Sequence, residues 1–302
     1  MFKNVLLDLG ARMDADLIAS TVEFCVRADA RLTVLNVFEE PPEAVSDYFS
    51  TLDLDLRTIL LEHHQAEIAS ILPEAAKAQD QTTVELRWGK DFVEAIRLVR
   101  DGGFDLLITG SIAPGGTPDS LAMNLMRKCP CPVWIHRGNL WKGAVRILAA
   151  VNTSDVSCDN RALNDKILTH AARLNEILRG HLHVVTCWSG YMESVLTSPR
   201  FNKKEKTEYL EHEQIHTQRE LDNLFTAAGL SDEVKSKIIH GNPAKVIPAY
   251  ATEQKMDVVV MGSVARTGVP GLVVGNTVER IVSAVDSSVL VIKPNEFVSP
   301  VL

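Results

Sequence analysis

Two stretches of this 302-residue chain carry side chains whose types and spacing could do chemistry. The first is HEQIH, His212 to His216. On a helix, His at i and i+4 share one face and can hold zinc, and the Glu between them can deprotonate a zinc-bound water. The second is MGSVARTGVPGLVVGNTVERIVSAV, residues 261–285. There a buried strand is expected to end at Met261, and a loop runs through Gly262, Gly268 and Gly271 to Gly275. A helix follows, with Asn276 and Glu279 at capping-box spacing and Val278, Ile281, Val282 and Val285 as its apolar stripe. Glycines let backbone N–H groups approach phosphate oxygens, and a helix N-terminus adds unpaired N–H groups and a favourable dipole. The same features also serve an ordinary turn and cap, so the residues alone leave both uses open.

The elements that must position these residues repeat along the chain. FDLLITGSIA (104–113) aligns with MDVVVMGSVA (256–265), and the same placement sets RWGKDFVEAIRLV on IHGNPAKVIPAYA with Gly89 on Gly241. A unit of about 150 residues occurring twice is a duplicated domain and not a solenoid of short repeats. Within the first unit NVLLDL, RLTVLNVF, TVELRW, FDLLIT and PVWIH alternate with helical patterns, including one near 13–28 and a long helical insert. In the second, RILAAV, HLHVVTCW, VKSKIIH, MDVVVM and SSVLVIK do the same. Continuous apolar runs separated by helices imply parallel sheets covered on both faces. The expected fold is α/β, two tandem five-stranded doubly wound Rossmann-like domains, 1–138 and 143–302, joined at RGNLWKG. The two units are expected to pair within the chain through PVWIHR and SSVLVIK.

That frame decides against zinc. HEQIH falls in a helical stretch of about 203–228 whose apolar stripe is Leu210, Leu221, Leu224, Phe225 and Ala228, with His212 and His216 nearly opposite. A protease zinc also needs a third ligand and a shaped cleft. No metal is expected beyond Mg with a nucleotide. His181, His183, His63 and His64 read as ordinary strand and helix residues.

A net charge of −8 disfavours nucleic acid, since a phosphate-backbone binder needs a basic surface. No stretch reads as a signal peptide or a membrane span, and the five Cys, including Cys129 and Cys131 in KCPCPVW, read as reduced thiols. The expected location is cytoplasmic. Neither a P-loop nor a dinucleotide G-x-G-x-x-G is present, and no nucleophile sits beside a base.

The duplicated pattern, VVVMGSVARTG followed by GNTVERI, LMRKCPCPVWI, and SSVLVIKPN together resemble the universal stress proteins, in particular their tandem two-domain, UspE-like members. ATP-binding members of that family carry G-x-x-G-x9-G-[S/T] after the fourth strand. Here Gly262 fills the first position, Ala265 replaces the second Gly, Gly275 fills the third, and Asn276 stands for Ser/Thr with Thr277 beside it. The resemblance further implies a ribose contact at Asn152, where the family has Asp, and an adenine contact at Cys187, with Met261 at the end of the fourth strand. Repeat one departs further. Its loop is shorter, Met123 and Asn124 fall where glycine and hydroxyl would be, and either Asp8 or Gly10 falls at the Asp position.

The function so implied is that of a non-catalytic stress-response protein, with ATP or another nucleotide bound in the second domain and the phosphate site lost in the first. The alternatives are a scaffold for a small apolar ligand or partner protein and, further off, a slow ATPase or zinc hydrolase. Homodimer formation is left open.

Overall fold

The computed structural model describes residues 1–10, 13–52, 54–72, 81–110, 117–138, 143–190, 193, 196, 198, 200–231, 234–263 and 276–301. It divides into two compact units, residues 1–139 with 298–302, and residues 140–297.

In unit 1, β1 (Asn4–Asp8), β2 (Arg31–Phe38), β3 (Thr82–Trp88), β4 (Leu106–Thr109) and β5 (Val133–Ile135) form a parallel sheet in the order β3-β2-β1-β4-β5. Helices α1 (Ala15–Ala28), α2 (Glu43–Ser50), α3 (Leu56–Ile71), α4 (Asp91–Gly102) and α5 (Ser120–Lys128) lie between them in sequence. Unit 2 repeats the plan with β6 (Arg146–Val151), β7 (His181–Trp188), β8 (Lys235–His240), β9 (Val258–Gly262) and β10 (Ser288–Ile292), ordered β8-β7-β6-β9-β10 and parallel throughout. Its helices are α6 (Cys158–Leu178), α7 (Lys203–Ala228), α8 (Pro243–Glu253) and α9 (Asn276–Ala284).

The runs read as strands are strands, for the reason that predicts them. β4, β5 and β10 are buried at every residue, as strands covered on both faces must be. The outer strands differ: β3 alternates and β8 exposes Lys235 and Lys237, whose charges blunt an unpaired edge. In both units the strand order reverses beside the first strand, between β1 and β4 and between β6 and β9. Crevices outside the carboxyl ends of the strands at such a switch point are where ligands enter open α/β sheets.

Helix ends follow local chemistry. Asp14 and Ser157 cap α1 and α6 with side-chain oxygens, and Asn202 with Glu205 forms a capping box on α7. Helix α7 buries Thr217 and Leu221 and half-buries Leu210, Leu224 and Phe225. Ala228, expected in that stripe, is exposed at the helix end. His212 and His216 are both exposed, His212 with 76% of its side chain in solvent. Among the described residues no group of three His, Cys, Asp or Glu could hold a metal ion, and no helix is long and apolar enough to cross a membrane.

Candidate functional site

A cleft of about 690 Å³ opens at the carboxyl end of the unit 2 sheet. Its lining includes Asn152 just after β6, Cys187 on β7, Met261 and Gly262 ending β9, and Asn276 and Thr277 opening α9. Six positions singled out in the sequence thus border one space, although they come from four separate elements. Ala265 and Gly275 lie outside the described residues.

Each of the six is held by local structure. The chain leaves β6 through a turn that helix α6 clamps. The Asn152 N–H donates to Asn164 Oδ1 at 3.0 Å, and the Asn152 carbonyl accepts from Asn160 Nδ2 and Asn164 Nδ2, each at 2.7 Å. Asn152 Oδ1 accepts the Ser154 N–H at 3.1 Å, which fixes the side-chain amide. Its Nδ2 has no hydrogen-bond partner among the described residues. Asn160 and Asn164 were not singled out in the sequence; the available signal was a pair of Asn four apart on the helix that follows the first strand of the repeat.

Gly262 has a packing reason of its own. A Cβ there would come within 2.7 Å of Leu163 Cδ2 and 3.0 Å of Ile167 Cδ1, so glycine is what lets α6 lie against the end of β9. Cys187 is half-buried and burial pushes its thiol up to about 11, so it meets a ligand as a neutral, weakly polar surface. At the same end, Trp188 and His240 pack with ring centroids 4.6 Å apart, and His240 Nε2 lies 3.0 Å from Glu193 Oε2. Asn276 is the first described residue of α9, and the residues before it lie outside the described set. The stripe Val278, Ile281, Val282 and Val285 is buried. None of the described lining residues carries a charged side chain; the surface is amide, hydroxyl, thiol and hydrocarbon.

Strand register settles where repeat one stands. Val5 pairs Leu106 and Ile147 pairs Val258, and residue 106 aligns with 258, so Val5 matches Ile147. Gly10 then matches Asn152, and Asp8 matches Ala150. Helix α5 begins at Ser120 as α9 begins at Asn276, so Asp119 and Ser120, and not Met123 and Asn124, stand at the helix entrance.

Asp8 is fully buried at the end of β1. Its Oδ1 accepts the Gly10 N–H at 3.1 Å, and its Oδ2 has no hydrogen-bond partner among the described residues. Burial, with the charges of Asp91 and Asp119 adding to it, pushes its carboxyl up to about 7. The cysteines are free; Cys129 and Cys131 are buried with Sγ atoms 3.5 Å apart, and Cys158 is exposed.

Comparison with known proteins agrees with this architecture. The model of the universal stress protein family matches residues 1–137 and again 146–293. A universal stress protein E homolog from Haemophilus influenzae is 28% identical over 249 residues, which are 78% of this chain and 78% of that protein. Universal stress protein E of Photorhabdus laumondii is 29% identical over 184 residues, 60% of this chain and only 57% of that protein's length. Among solved structures, a Pseudomonas aeruginosa PAO1 protein of unknown function superposes with a TM-score of 0.71 at 21% identity, covering 98% of this chain and 94% of its own. An Archaeoglobus fulgidus universal stress protein does so at 0.65 and 19%, covering 95% and 98%, and at these identities both likenesses speak to the fold. With two family matches that together span most of its length, the chain belongs to the universal stress protein family and is a tandem member of it.

Proposed function

We propose that this chain is a cytoplasmic stress-response protein whose second unit binds ATP or another nucleotide in the cleft at the carboxyl end of its sheet. On this reading the chain, like other members of its family, is a non-catalytic regulatory or binding protein. The observation that supports nucleotide binding is the shared cleft of about 690 Å³, with Asn152 at one side and the first residues of α9 at another. That volume suits a ligand of nucleotide size. The opening turn of α9 offers N–H groups to a phosphate, Asn152 Nδ2 is a donor without a partner among the described residues, and Cys187 and Met261 supply apolar surface for a base. Asp8, Asp91 and Asp119 argue against phosphate at the matching place in unit 1.

Isothermal titration with ATP and Mg tests this. If the family loop is kept, Ala265→Gly removes a Cβ where a phosphate must approach, and affinity rises about fivefold, equivalent to roughly 1 kcal/mol. Gly275→Val abolishes binding by placing a branched side chain at the helix entrance. Ala113→Gly in repeat one gains nothing. If Ala265→Gly and Ala113→Gly behave alike, or Gly275→Val binds as wild type, the nucleotide reading is wrong.

The uncharged lining favours a second reading, a scaffold for a small apolar ligand or a partner's side chains. Mass spectrometry of what a denatured sample of the purified protein releases separates the two.

A further inference from the structure

Three amides crowd the turn at the carboxyl end of β6, and they are not used alike. Asn164 commits both ends of its side chain to the Asn152 main chain, Oδ1 accepting the N–H at 3.0 Å and Nδ2 donating to the carbonyl at 2.7 Å. Asn152 has its Oδ1 tied to the Ser154 N–H, which leaves Nδ2 as a donor with no partner among the described residues. Asn160 is the reverse case. Its Nδ2 donates to the Asn152 carbonyl at 2.7 Å and to the Asp155 carbonyl, and its Oδ1 accepts no hydrogen bond from a described residue.

Asn160 is only 6% exposed, yet it borders the same cleft of about 690 Å³ as Asn152. Oδ1 and Nδ2 diverge from one carbon, so with Nδ2 held on the carbonyls of the turn, Oδ1 is the polar atom left to the cleft. Holding the turn does not require an amide at 160. The Asn152 carbonyl already accepts from Asn164 at the same distance, and another short donor could make the second bond. What the amide adds is a buried acceptor, and a fold keeps an unpaired one where something else completes it. Both residues lie in the described run 143–190, and each is fixed by bonds at its other end, so donor and acceptor stand preorganised on one wall of the cleft.

We infer that this pair reads a vicinal diol, which rests on the nucleotide reading above and narrows it to ligands with an intact ribose: one hydroxyl accepts from Asn152 Nδ2 and its neighbour donates to Asn160 Oδ1. A hydroxyl both donates and accepts, so two adjacent ones satisfy both amides at once. A purely apolar ligand would strip water from the pair and replace none of its hydrogen bonds. A phosphate dianion only accepts, so it would serve Asn152 and meet Asn160 acceptor to acceptor. A base finds hydrocarbon surface elsewhere in the cleft, on Trp188 of β7 and on Pro243 and Ile247 of α8.

The test titrates the full chain calorimetrically with ATP, 2′-deoxy-ATP and 3′-deoxy-ATP, each with Mg. In the wild type each deoxy analogue should bind about fivefold or more weakly than ATP. Asn160→Ala should weaken ATP about fivefold more than it weakens one of the analogues, the one already missing the hydroxyl that Asn160 meets. A role confined to holding the turn would weaken all three ligands by one factor, and that result would overturn the assignment. Should Asn160→Ala fold poorly, Asn152→Ala decides, because it leaves the bonds of Asn160 in place. In that variant the analogue tied to Asn160 should stay weaker than ATP and the other should match it; any other pattern overturns the pairing. Three equal affinities in the wild type would refute diol recognition and leave nucleotide binding standing, whereas no binding of any of the three would remove both.

Discussion

The two units share strand order and register, yet the ends of their sheets have diverged in opposite directions. In unit 2 a long helix supplies amides. Helix α6 has 21 residues against 14 in α1, and both stop at a residue in the left-handed region, Arg179 and Asp29. The additional turns therefore lie at the N-terminus of α6, and they carry Asn160 and Asn164, which clamp the Asn152 turn. Unit 1 starts its helix later, at Asp14, and has buried carboxylate where unit 2 has Ala150. The two units thus keep one backbone frame while their side-chain chemistry differs at a few positions at the switch point.

The sharpest way to break that contrast is Asp8→Asn. Asp8 has its carboxyl raised to about 7 in the folded chain against an ordinary value of 3.8. The folded state therefore holds a proton that the unfolded chain gives up between about pH 4 and 7, so stability falls as pH rises through that window. The full difference corresponds to about 4 kcal/mol. Asp8→Asn should be more stable than wild type at pH 8 and close to it at pH 4.5, measured by urea denaturation at both. A wild-type and variant difference that does not change with pH would remove Asp8 as the odd group of unit 1.

A second comparison probes what the units share. Gly110 follows β4 and Gly262 ends β9, and an added Cβ would meet Leu17 Cδ2 or Leu163 Cδ2, in each case at 2.7 Å. Gly110→Ala and Gly262→Ala should each cost about 1–3 kcal/mol through overpacking, in similar measure. Thermal unfolding of both variants checks it; a harmless Gly262→Ala would leave phosphate approach as the reason for that glycine.

Asn164→Ala should cost about 1–2 kcal/mol, because it leaves the Asn152 N–H without its acceptor. It should also loosen the turn that borders the cleft, so ATP affinity falls with stability, whereas a surface variant in unit 1 changes neither. The smallest effects belong to the His pair. His212→Ala and His216→Ala should each shift stability by no more than about 0.5 kcal/mol, as exposed substitutions do. Stoichiometric zinc lost in either variant would contradict this.

The sequence alone carried the fold. Runs such as VVVMG and SVLVI are apolar at every position, which only a strand covered on both faces tolerates, and the helices between them force parallel pairing. It also carried the exposure of His212 and His216, because helical phase is fixed by residue spacing. It could bring Asn152, Cys187, Met261, Gly262, Asn276 and Thr277 onto one list only through resemblance to a family, since no spacing along the chain relates four separate elements. Tertiary structure decided the rest. Pairing of β1 with β4 and of β6 with β9 makes Gly10, and not Asp8, the unit 1 equivalent of Asn152, because register is a property of two strands and not of one. In the sequence Asp8 is one acidic residue among 39 Asp and Glu. What sets it apart is that the packed sheet and helices bury its Oδ2, and none of the described residues brings a donor to it.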